Sequence, residues 1–283
     1  FLIVVSLGAG LLWLLADRTT EDRSLRWLLL GSYAARVLVG VALFAISYWH
    51  WPVLRSLQTQ PGFWSFSLDA HVYHYYGRDV AQAWTLGTEL PVTGLGFDYF
   101  AVVGLLYKLL GPSPLYPVVL NGWLAALNGL FMYLIGWKLF ERRAGFVGSV
   151  LVAWWPSTFL WSSQLMRDAL TWTLLLAALW LIVDALSRDR VPRRSILGWA
   201  FCALWLGVTV MALTRFRFYV ATALCTAALV VLVPAGAYAL ARRNIPRGLG
   251  YAGITGLIIL SALFARMLDP FALLSPPNPE RAH

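Results

Sequence analysis

The chain has 283 residues, of which 60% are hydrophobic and 12% charged, and its formal net charge is +9. Soluble domains carry about 25% charged residues, so this composition excludes an ordinary soluble globular domain. The basic residues stand in short clusters between apolar runs, and membrane topology therefore explains the charge better than a nucleic-acid partner does. Cys202 and Cys225 both lie inside apolar runs, which argues against a disulfide framework or a zinc site.

Apolar runs of about twenty residues, the length needed to cross a bilayer, recur along the whole chain. They predict an all-α fold, a polytopic helical membrane bundle formed by a single domain over residues 1–283. The bundle has about eight predicted transmembrane helices, and one or two further helices are predicted to lie at the membrane interface. The predicted spans are approximately 1–16, 27–49, 116–137, 145–161, 169–187, 196–213, 218–241 and 249–267.

Three links between the later spans are rich in basic residues, namely KLFERRAG, RDRVPRR and RRNIPR. They contain three, four and three basic residues but only one, one and no acidic residues. The positive-inside rule places such links in the cytoplasm. We therefore expect a multi-pass protein of the plasma (inner) membrane, with the loop over 50–115 and an extended tail over 268–283 facing outward.

The run YFAVVGLLYKLLG, residues 99–111, is too short to cross a bilayer as a helix. If it crossed, residues 50–97 would share the cytoplasmic side with the basic links. Its shortness and the presence of Lys108 instead favour a helix that lies flat at the membrane interface. This interpretation keeps the long first loop on the outer face.

The stretch FSLDAHVYHYYGRDVAQAW, residues 66–84, combines charged and aromatic residues in a chain that is otherwise mostly apolar. On a helical wheel, polar side chains occupy one arc and apolar or aromatic side chains the opposite arc. The polar arc is His71, His74, Arg78 and Gln82, and the opposite arc is Val72, Tyr73, Tyr76, Val80, Ala83 and Trp84. This pattern predicts an amphipathic interfacial helix whose histidines face water. Gly77 costs such a helix about 1 kcal/mol relative to alanine, which indicates a close neighbour at its backbone.

Asp69 begins this helix, and an aspartate in that position can cap the N–H groups of the first turn. The same carboxylate, on the outer face, is also a candidate catalytic group or metal ligand. The spacing Asp-x-His-x-x-His can gather a metal ion, so Asp69, His74 and Glu89 are candidate ligands and a divalent metal is left open as a cofactor. The simpler interpretation is a solvated polar face, on which His71, His74 and Arg78 are candidate substrate-binding residues.

A second acidic residue, Asp168, lies in the first turn of a predicted span that begins at the outer face. It either compensates the helix dipole, pairs with the neighbouring Arg167, or forms a catalytic site together with Asp69. Arg215 and Arg217, in LTRFRFYV, are predicted to lie on the same outer face, although the positive-inside rule favours arginine on the inner side. They are either phosphate-binding residues or interfacial anchors. If this link is extended, both arginine side chains point the same way.

Arg36, in GSYAARVLVG, falls inside the second predicted span. A charge is expensive within a bilayer. The side chain of Arg36 therefore either sits well inside the membrane or extends to the inner face.

The order of these features resembles the GT-C glycosyltransferases, the membrane enzymes that use polyprenyl-phosphate sugars. An outward loop contains a helix that begins with an acid, LDAHVYHYY, and a flat helix ending LYKLLGPSPLYP follows. A span, a basic inner link, and a span that closes in proline and SSQLMRD come next. Protein O-mannosyltransferases, lipid A aminoarabinose transferases and oligosaccharyltransferase catalytic subunits belong to this superfamily. The resemblance covers residues of about 27–220 and depends on order and spacing.

The resemblance implies an enzyme that transfers a sugar from a polyprenyl-phosphate-linked donor to an acceptor hydroxyl on the outer face. Asp69 corresponds to the family's first-loop aspartate, a base or metal ligand at the acceptor, and Asp168 to its second outer acid. Arg215 or Arg217 corresponds to the basic residue that meets the donor phosphate. The family often has two adjacent acids in the first loop, whereas Ala70 follows Asp69 here. The chain also has few spans for the family and no large outer domain.

Two other functions are consistent with the sequence. A polysaccharide polymerase or ligase would also use lipid-linked donors, but it would depend more on the arginines than on Asp69. A non-catalytic membrane subunit or a transporter belongs to another class. Transporters place ionisable residues at mid-membrane, whereas the charges here cluster at the faces. The expected partners are the lipid-linked donor and membrane lipid, with no nucleic acid, and a partner chain is compatible with each function.

Overall fold

The computed structural model describes residues 1–88, 90, 97–187 and 196–264. As the sequence predicts, these residues form α-helices and no β-strand. The helices are α1 (Leu2–Thr19), α2 (Arg23–Tyr48), α3 (Leu68–Leu86), α4 (Phe97–Leu110), α5 (Leu115–Leu139), α6 (Arg142–Trp154), α7 (Pro156–Ser162), α8 (Asp168–Leu186), α9 (Ile196–Phe216), α10 (Phe218–Ala241) and α11 (Ile245–Phe264). Short 3-10 turns at Arg55–Leu57 and Ser65–Ser67 precede α3.

Several of these helices have the length and composition of membrane spans, which indicates a multi-pass membrane protein. Six are long and apolar enough to cross a membrane: α1, α2, α5, α8, α9 and α10. α6 and α7 qualify only as a pair, bent by 56° at the break between them. Within the described residues there are thus six spans, or seven with the bent pair, and the predicted count of eight is not confirmed. The eighth predicted span coincides with α11, which is helical over Ile245–Phe264.

Contacts group the described residues into two compact units, where the sequence predicted a single domain. The first unit comprises Phe1–Leu130 and Ser149–Leu170. The described part of the second comprises Phe131–Gly148, 171–187 and 196–264. The predicted extended tail over 268–283 lies outside the described residues.

In the first unit, α1 and α2 form a helical hairpin whose turn is fixed by Asp22. The Asp22 carboxylate accepts hydrogen bonds from the backbone N–H groups of Ser24 and Leu25, at 3.0 and 3.3 Å, and so caps α2. Further along the hairpin, the Tyr33 hydroxyl donates to the carbonyl of Val5 at 3.2 Å. The resulting core buries side chains of both helices, including Leu12, Leu25, Leu29 and Tyr33.

The break between α6 and α7 is stabilised by Arg36 of α2, which is 1% exposed. Its Nε donates to the Ser162 hydroxyl at 2.7 Å, and its Nη2 donates to the Ala153 carbonyl at 2.6 Å. Its Nη1 donates to Ser32, and the guanidinium lies 4.7 Å from the centre of the Phe159 ring. Arg36 therefore stays inside the first unit and does not extend to the inner face.

α3 and α4 pack side by side in the same direction. Tyr73 contacts Tyr99 at one end, and Lys108 donates to the Trp84 carbonyl at 3.0 Å at the other. Between them, a side chain at Gly77 would overlap Val103, so only glycine permits this approach. The sequence-based expectation of a close neighbour at Gly77 is thus confirmed, and the neighbour is α4.

The packing of α3 corrects part of the helical-wheel prediction. Tyr73, Val80 and Ala83 are buried as expected, but Tyr76 is 41% exposed. His74, predicted to face water, is half-buried beside Tyr107. The prediction fails at these positions because α3 packs against a protein helix on one side, so the buried arc is centred on Gly77.

The second unit has its own apolar core, formed by α8, α9, α10 and α11. The buried side chains include Ile182, Cys202, Leu206, Val210, Leu213, Leu224, Leu232, Ile254 and Ile258. Lys138, at the end of α5, forms an ion pair with Asp184 near the end of α8. Both free cysteines lie in this unit's helices, consistent with a packing role.

Candidate functional site

The first unit contains a polar cluster centred on Tyr99, in the first turn of α4. Tyr99 is buried, and its hydroxyl donates to the carbonyl of Met166 at 3.0 Å. Asn121 of α5 donates from its Nδ2 to the same carbonyl at 2.8 Å and to the Gln164 carbonyl at 2.7 Å. α4 and α5 therefore fix the link between α7 and α8, from which Asp168 follows two residues later.

Asp69 approaches this cluster from α3. Its carboxylate accepts a hydrogen bond, 3.5 Å long, from the Tyr73 hydroxyl. The Tyr73 ring stands edge-on to the Tyr99 ring, with 4.7 Å between the ring centres. Asp69 itself is exposed, so its carboxylate is open to a bound molecule while one side of it is held by the buried tyrosines.

Asp69 does not cap α3, because the helix begins one residue earlier. The N-cap position is Ser67, and no side chain accepts a capping hydrogen bond there. The capping interpretation of Asp69 is therefore wrong. The carboxylate lies in the first turn, where the helix dipole still favours a negative charge.

The electrostatics of Tyr99 connect the second acid to the same cluster. Burial raises the pKa of Tyr99 above its ordinary value of 10.0, and the hydrogen bond with Asn121 opposes this shift. The neighbouring Tyr73 and Asp168 raise the pKa further, while Arg167 lowers it. The charge of Asp168 therefore reaches Tyr99, whose ring contacts Tyr73, and the convergence of Asp69 and Asp168 on one site stays a prediction.

His74 of α3 and Tyr107 of α4 form a second pair of side chains in contact between these helices. The His74 Nδ1 lies 2.8 Å from the Tyr107 hydroxyl, and the His74 ring centre lies 5.5 Å from that of Phe63. Burial, and then the charge of Arg78, lowers the pKa of His74, while burial raises the pKa of Tyr107. Both pKa shifts favour the neutral forms of the two groups, which share this hydrogen bond, so His74 contacts α4 and does not face water.

The other two candidate residues of α3 stay at its surface. His71 is half-buried, and the exposed Arg78 forms an ion pair with Asp79 at 3.6 Å. The Arg78 guanidinium also lies 5.5 Å from the centre of the Tyr75 ring. Arg78 is nine residues from Asp69, about 13 Å along the helix axis, so the two do not share one small ligand group.

The proposed metal ligands are only partly covered by the described residues. No group of three histidine, cysteine, aspartate or glutamate side chains comes together among residues 1–88, 97–187 and 196–264. The Nδ1 of His74 is engaged by Tyr107, and Glu89 lies outside the described residues. We therefore derive no chemical step from a metal ion.

Arg215 and Arg217 lie in the second unit, at the junction of α9 and α10. α9 continues through Phe216, so Arg215 is helical and the expectation of an extended link is wrong for it. Arg217 alone has an extended backbone, with φ −150° and ψ 82°, and its Nη1 donates to the Tyr219 hydroxyl at 2.8 Å. One non-helical residue thus separates the two helices, so the condition under which both arginine side chains would point the same way is not met. Their role at the donor phosphate stays a prediction.

An apolar groove of about 300 Å³ crosses the first unit. It is formed by α1, α2, α4 and α5, and nearly all of its lining is aliphatic or aromatic. The lining residues are Val4, Leu7, Gly8, Leu11, Tyr33, Leu106, Leu110, Tyr116, Val119, Leu120 and Trp123. A groove of this size and composition suits a hydrocarbon chain.

Sequence reasoning gave no site role to three residues of this cluster, namely Tyr73, Tyr99 and Asn121. Asn121 was detectable as a polar residue inside an apolar span, where such residues usually have a structural or functional partner. The tyrosines carry no such signal in a chain with 12 of them. Comparison with protein-family models, curated proteins and solved structures gives no match for this chain.

Proposed function

We propose that this protein transfers a sugar from a polyprenyl-phosphate-linked donor to an acceptor hydroxyl at the outer face of a membrane, as GT-C glycosyltransferases do. The observation that carries the proposal is the placement of Asp69. Its exposed carboxylate lies in the first turn of α3 and accepts a hydrogen bond from Tyr73, whose ring contacts the buried Tyr99. An exposed carboxylate beside a pair of buried tyrosines is suited to accept the proton of an acceptor hydroxyl.

In this proposal Asp69 is the general base. The Tyr73 hydroxyl bonds only one carboxylate oxygen, Oδ2, which leaves Oδ1 to accept the hydrogen bond of the acceptor hydroxyl. As the acceptor oxygen attacks the anomeric carbon, its proton passes to Asp69 and the bond to the donor phosphate breaks. Tyr99 stays protonated because burial raises its pKa, and it holds Tyr73 in place through ring contact.

Asp168 is the second acid of the proposed site. The link that precedes it is fixed by Tyr99 and Asn121 through the Met166 carbonyl, so its position depends on buried hydrogen bonds. A carboxylate held in this way can orient the acceptor for in-line attack, and such orientation is a large part of the rate gain in group transfer. Asp168 is therefore a positioning group, with Asp69 as the base.

The apolar groove of the first unit would hold the lipid tail of the donor. Arg215 and Arg217 are the proposed phosphate-binding residues, since guanidinium groups match phosphate oxygens and stabilise the leaving phosphate. The groove lined by Leu7, Leu11 and Leu106 has room for several isoprene units of the tail.

The test is an Asp69→Asn variant assayed with polyprenyl-phosphate mannose and polyprenyl-phosphate aminoarabinose as donors. We expect loss of sugar transfer by roughly 10²–10⁴-fold, the contribution typical of a general base. Asp79→Asn is the matched control, because Asp79 lies on the same helix and is partly exposed but pairs with Arg78. Equal transfer by wild type and Asp69→Asn would contradict the proposed mechanism.

Variants of Arg215 and Arg217 distinguish the proposed transferase from a polymerase or ligase that uses lipid-linked donors. Such an enzyme would lose activity in the Arg215→Ala, Arg217→Ala double variant and retain most of it in Asp69→Asn. The GT-C mechanism predicts loss in both. Donor binding and turnover that survive the double arginine variant would make these residues interfacial anchors.

The broken span α6–α7 is the observation that favours a transporter as the second candidate. Discontinuous helices and buried charges inside a membrane bundle are typical of substrate sites in transporters. However, the Nε, Nη1 and Nη2 groups of Arg36 all donate to atoms of the first unit itself. A guanidinium occupied in this way favours a structural role, so the enzyme is the better-supported proposal.

A further inference from the structure

The second unit contains a polar cavity of about 510 Å³ at the junction of α10 and α11. Its walls come from the last turns of α10, the first turns of α11 and the end of α8. The lining residues are Leu186, Ala235, Tyr238, Ala239, Arg242, Asn244, Arg247 and Tyr251. The cavity has the volume of a small-molecule site, and its lining combines arginine and asparagine with tyrosine and aliphatic side chains.

A tight turn places both arginines at this cavity. Arg243 has a left-handed backbone with φ 56°, which is costly for a residue with a side chain. The N–H of Arg243 donates to the Leu240 carbonyl at 2.8 Å, and that of Asn244 to the Ala239 carbonyl at 2.9 Å. α11 then begins at once, so Arg242 and Arg247 flank the same short turn.

The helices around the cavity are held together independently of any ligand. A side chain at Gly248 would overlap Leu240, so α10 and α11 are in close contact beside the turn. The Tyr251 hydroxyl donates to the Ala185 carbonyl at 3.4 Å, which ties α11 to the end of α8. The cavity is therefore a preformed feature of packed helices.

The charge around the cavity is positive. The sequence contains no acidic residue from position 190 to 268, a stretch that includes all of α9, α10 and α11. The nearest acid of α8, Asp184, is buried in an ion pair with Lys138. Arg242 is exposed, with its guanidinium 5.3 Å from the centre of the Tyr238 ring. This arrangement attracts an anion, and guanidinium groups bind phosphate in particular.

We propose that this cavity binds a phosphate ester, supplied as the headgroup of an anionic membrane lipid. The positive-inside rule places the RRNIPR link at the cytoplasmic surface, where the leaflet is anionic. Arg242 and Arg247 bind the phosphate, and Asn244 donates to its oxygens. The aliphatic side chains of Leu186, Ala235 and Ala239 receive the glycerol backbone and the first methylenes of the chain. This site lies in the second unit and does not depend on the proposed transferase activity.

The test measures lipid binding to the purified full chain in detergent, with short-chain phosphatidylglycerol, short-chain phosphatidylcholine and inorganic phosphate as the three probes. We expect phosphatidylglycerol to bind more tightly than phosphatidylcholine. The Arg242→Gln, Arg247→Gln double variant should bind phosphatidylglycerol roughly 30-fold more weakly, because each arginine near a membrane surface contributes about fivefold. Each single variant should show about a fivefold loss.

The matched control is the Arg142→Gln, Arg143→Gln double variant, which removes the same charge from an exposed inner link. It should bind phosphatidylglycerol as the wild type does, and gel filtration of all variants checks their folding. The proposed site is wrong if both double variants lose the same affinity for phosphatidylglycerol. It is also wrong if the Arg242→Gln, Arg247→Gln double variant binds this lipid as tightly as the wild type does. If inorganic phosphate binds as tightly as the lipid and depends on the same arginines, the cavity takes a soluble phosphate and the lipid assignment is wrong.

Discussion

The Nη2 group of Arg36 lies 2.6 Å from the carbonyl oxygen of Ala153, 117 residues further along the chain. Ala153 is in the last turn of α6, where the helix break leaves carbonyls without their usual helical partners. In a bilayer such groups must be satisfied by the protein itself. The buried guanidinium of Arg36 supplies a donor for the Ala153 carbonyl at the bend between α6 and α7. The bend in turn supplies the acceptors that the buried charge needs.

Replacement of Arg36 should destabilise the first unit. Arg36→Met removes the donors to Ser162 and Ala153 and leaves both acceptors buried, and a hydrogen bond to a charged group contributes about 1.5–3 kcal/mol. Arg36→Lys should be intermediate, because lysine keeps the charge and loses the planar fork. Thermal unfolding followed by tryptophan fluorescence measures the effect. Arg23→Lys is the control, as an exposed arginine of the same helix, and similar unfolding of all variants would contradict the assigned role.

The contact between α3 and α4 should not tolerate a side chain at Gly77. Gly77→Ala places a methyl group against Val103, and such overpacking costs about 1–3 kcal/mol. The second change Val103→Ala should recover part of this loss, which a double-mutant cycle of unfolding free energies detects. Gly31→Ala is the matched control, because nothing lies within 4 Å of its added methyl group and alanine favours the helix. A Gly77→Ala variant as stable as Gly31→Ala would show that the helices do not pack this closely.

His74 should make the first unit sensitive to acid. Burial lowers its pKa below the ordinary value of 6.5, so the folded state binds fewer protons than the unfolded state between these two values. Stability should therefore rise with pH through this interval, be complete above about pH 6.5, and fall as the solution is acidified. Unfolding midpoints at several pH values would measure this effect. His74→Gln should flatten the profile, whereas His71→Gln should keep it because no hydrogen bond joins that residue to Tyr107. An unchanged profile in His74→Gln would contradict this assignment.

The predicted topology places Gln60 and Arg143 on opposite sides of the membrane. Both side chains are exposed in the described residues, so cysteines introduced at either position should be accessible to reagents. In a background with Cys202 and Cys225 replaced by alanine, Gln60→Cys should react with an impermeant maleimide added outside intact cells. Arg143→Cys should react only after the cells are opened. If both cysteines react from outside, the basic links are not cytoplasmic. The argument that Asp69 lies on the outer face would then no longer hold.

The positions of the helices could be predicted from the sequence because span length and hydrophobic periodicity are local properties. The predicted span over 27–49 coincides with α2, and that over 218–241 with α10. The prediction was weaker where one helix face meets another helix. For α3 the apolar arc could be found, but the burial of His74 and the exposure of Tyr76 depend on the position of α4.

The sequence by itself determined an all-helical chain with long apolar helices, the basic links, and the presence of Asp69 and Asp168 at the starts of helices. Only the tertiary structure decided which side chains meet. Tyr73 and Tyr99 lie beside Asp69, and Arg36 and Asn121 donate to carbonyls and a hydroxyl of distant segments. Helix formation and membrane length are set within about twenty consecutive residues, where the sequence can be read directly. Side-chain partners more than a hundred residues apart, such as Arg36 and Ser162, meet only when helices pack, because packing fixes which faces come together.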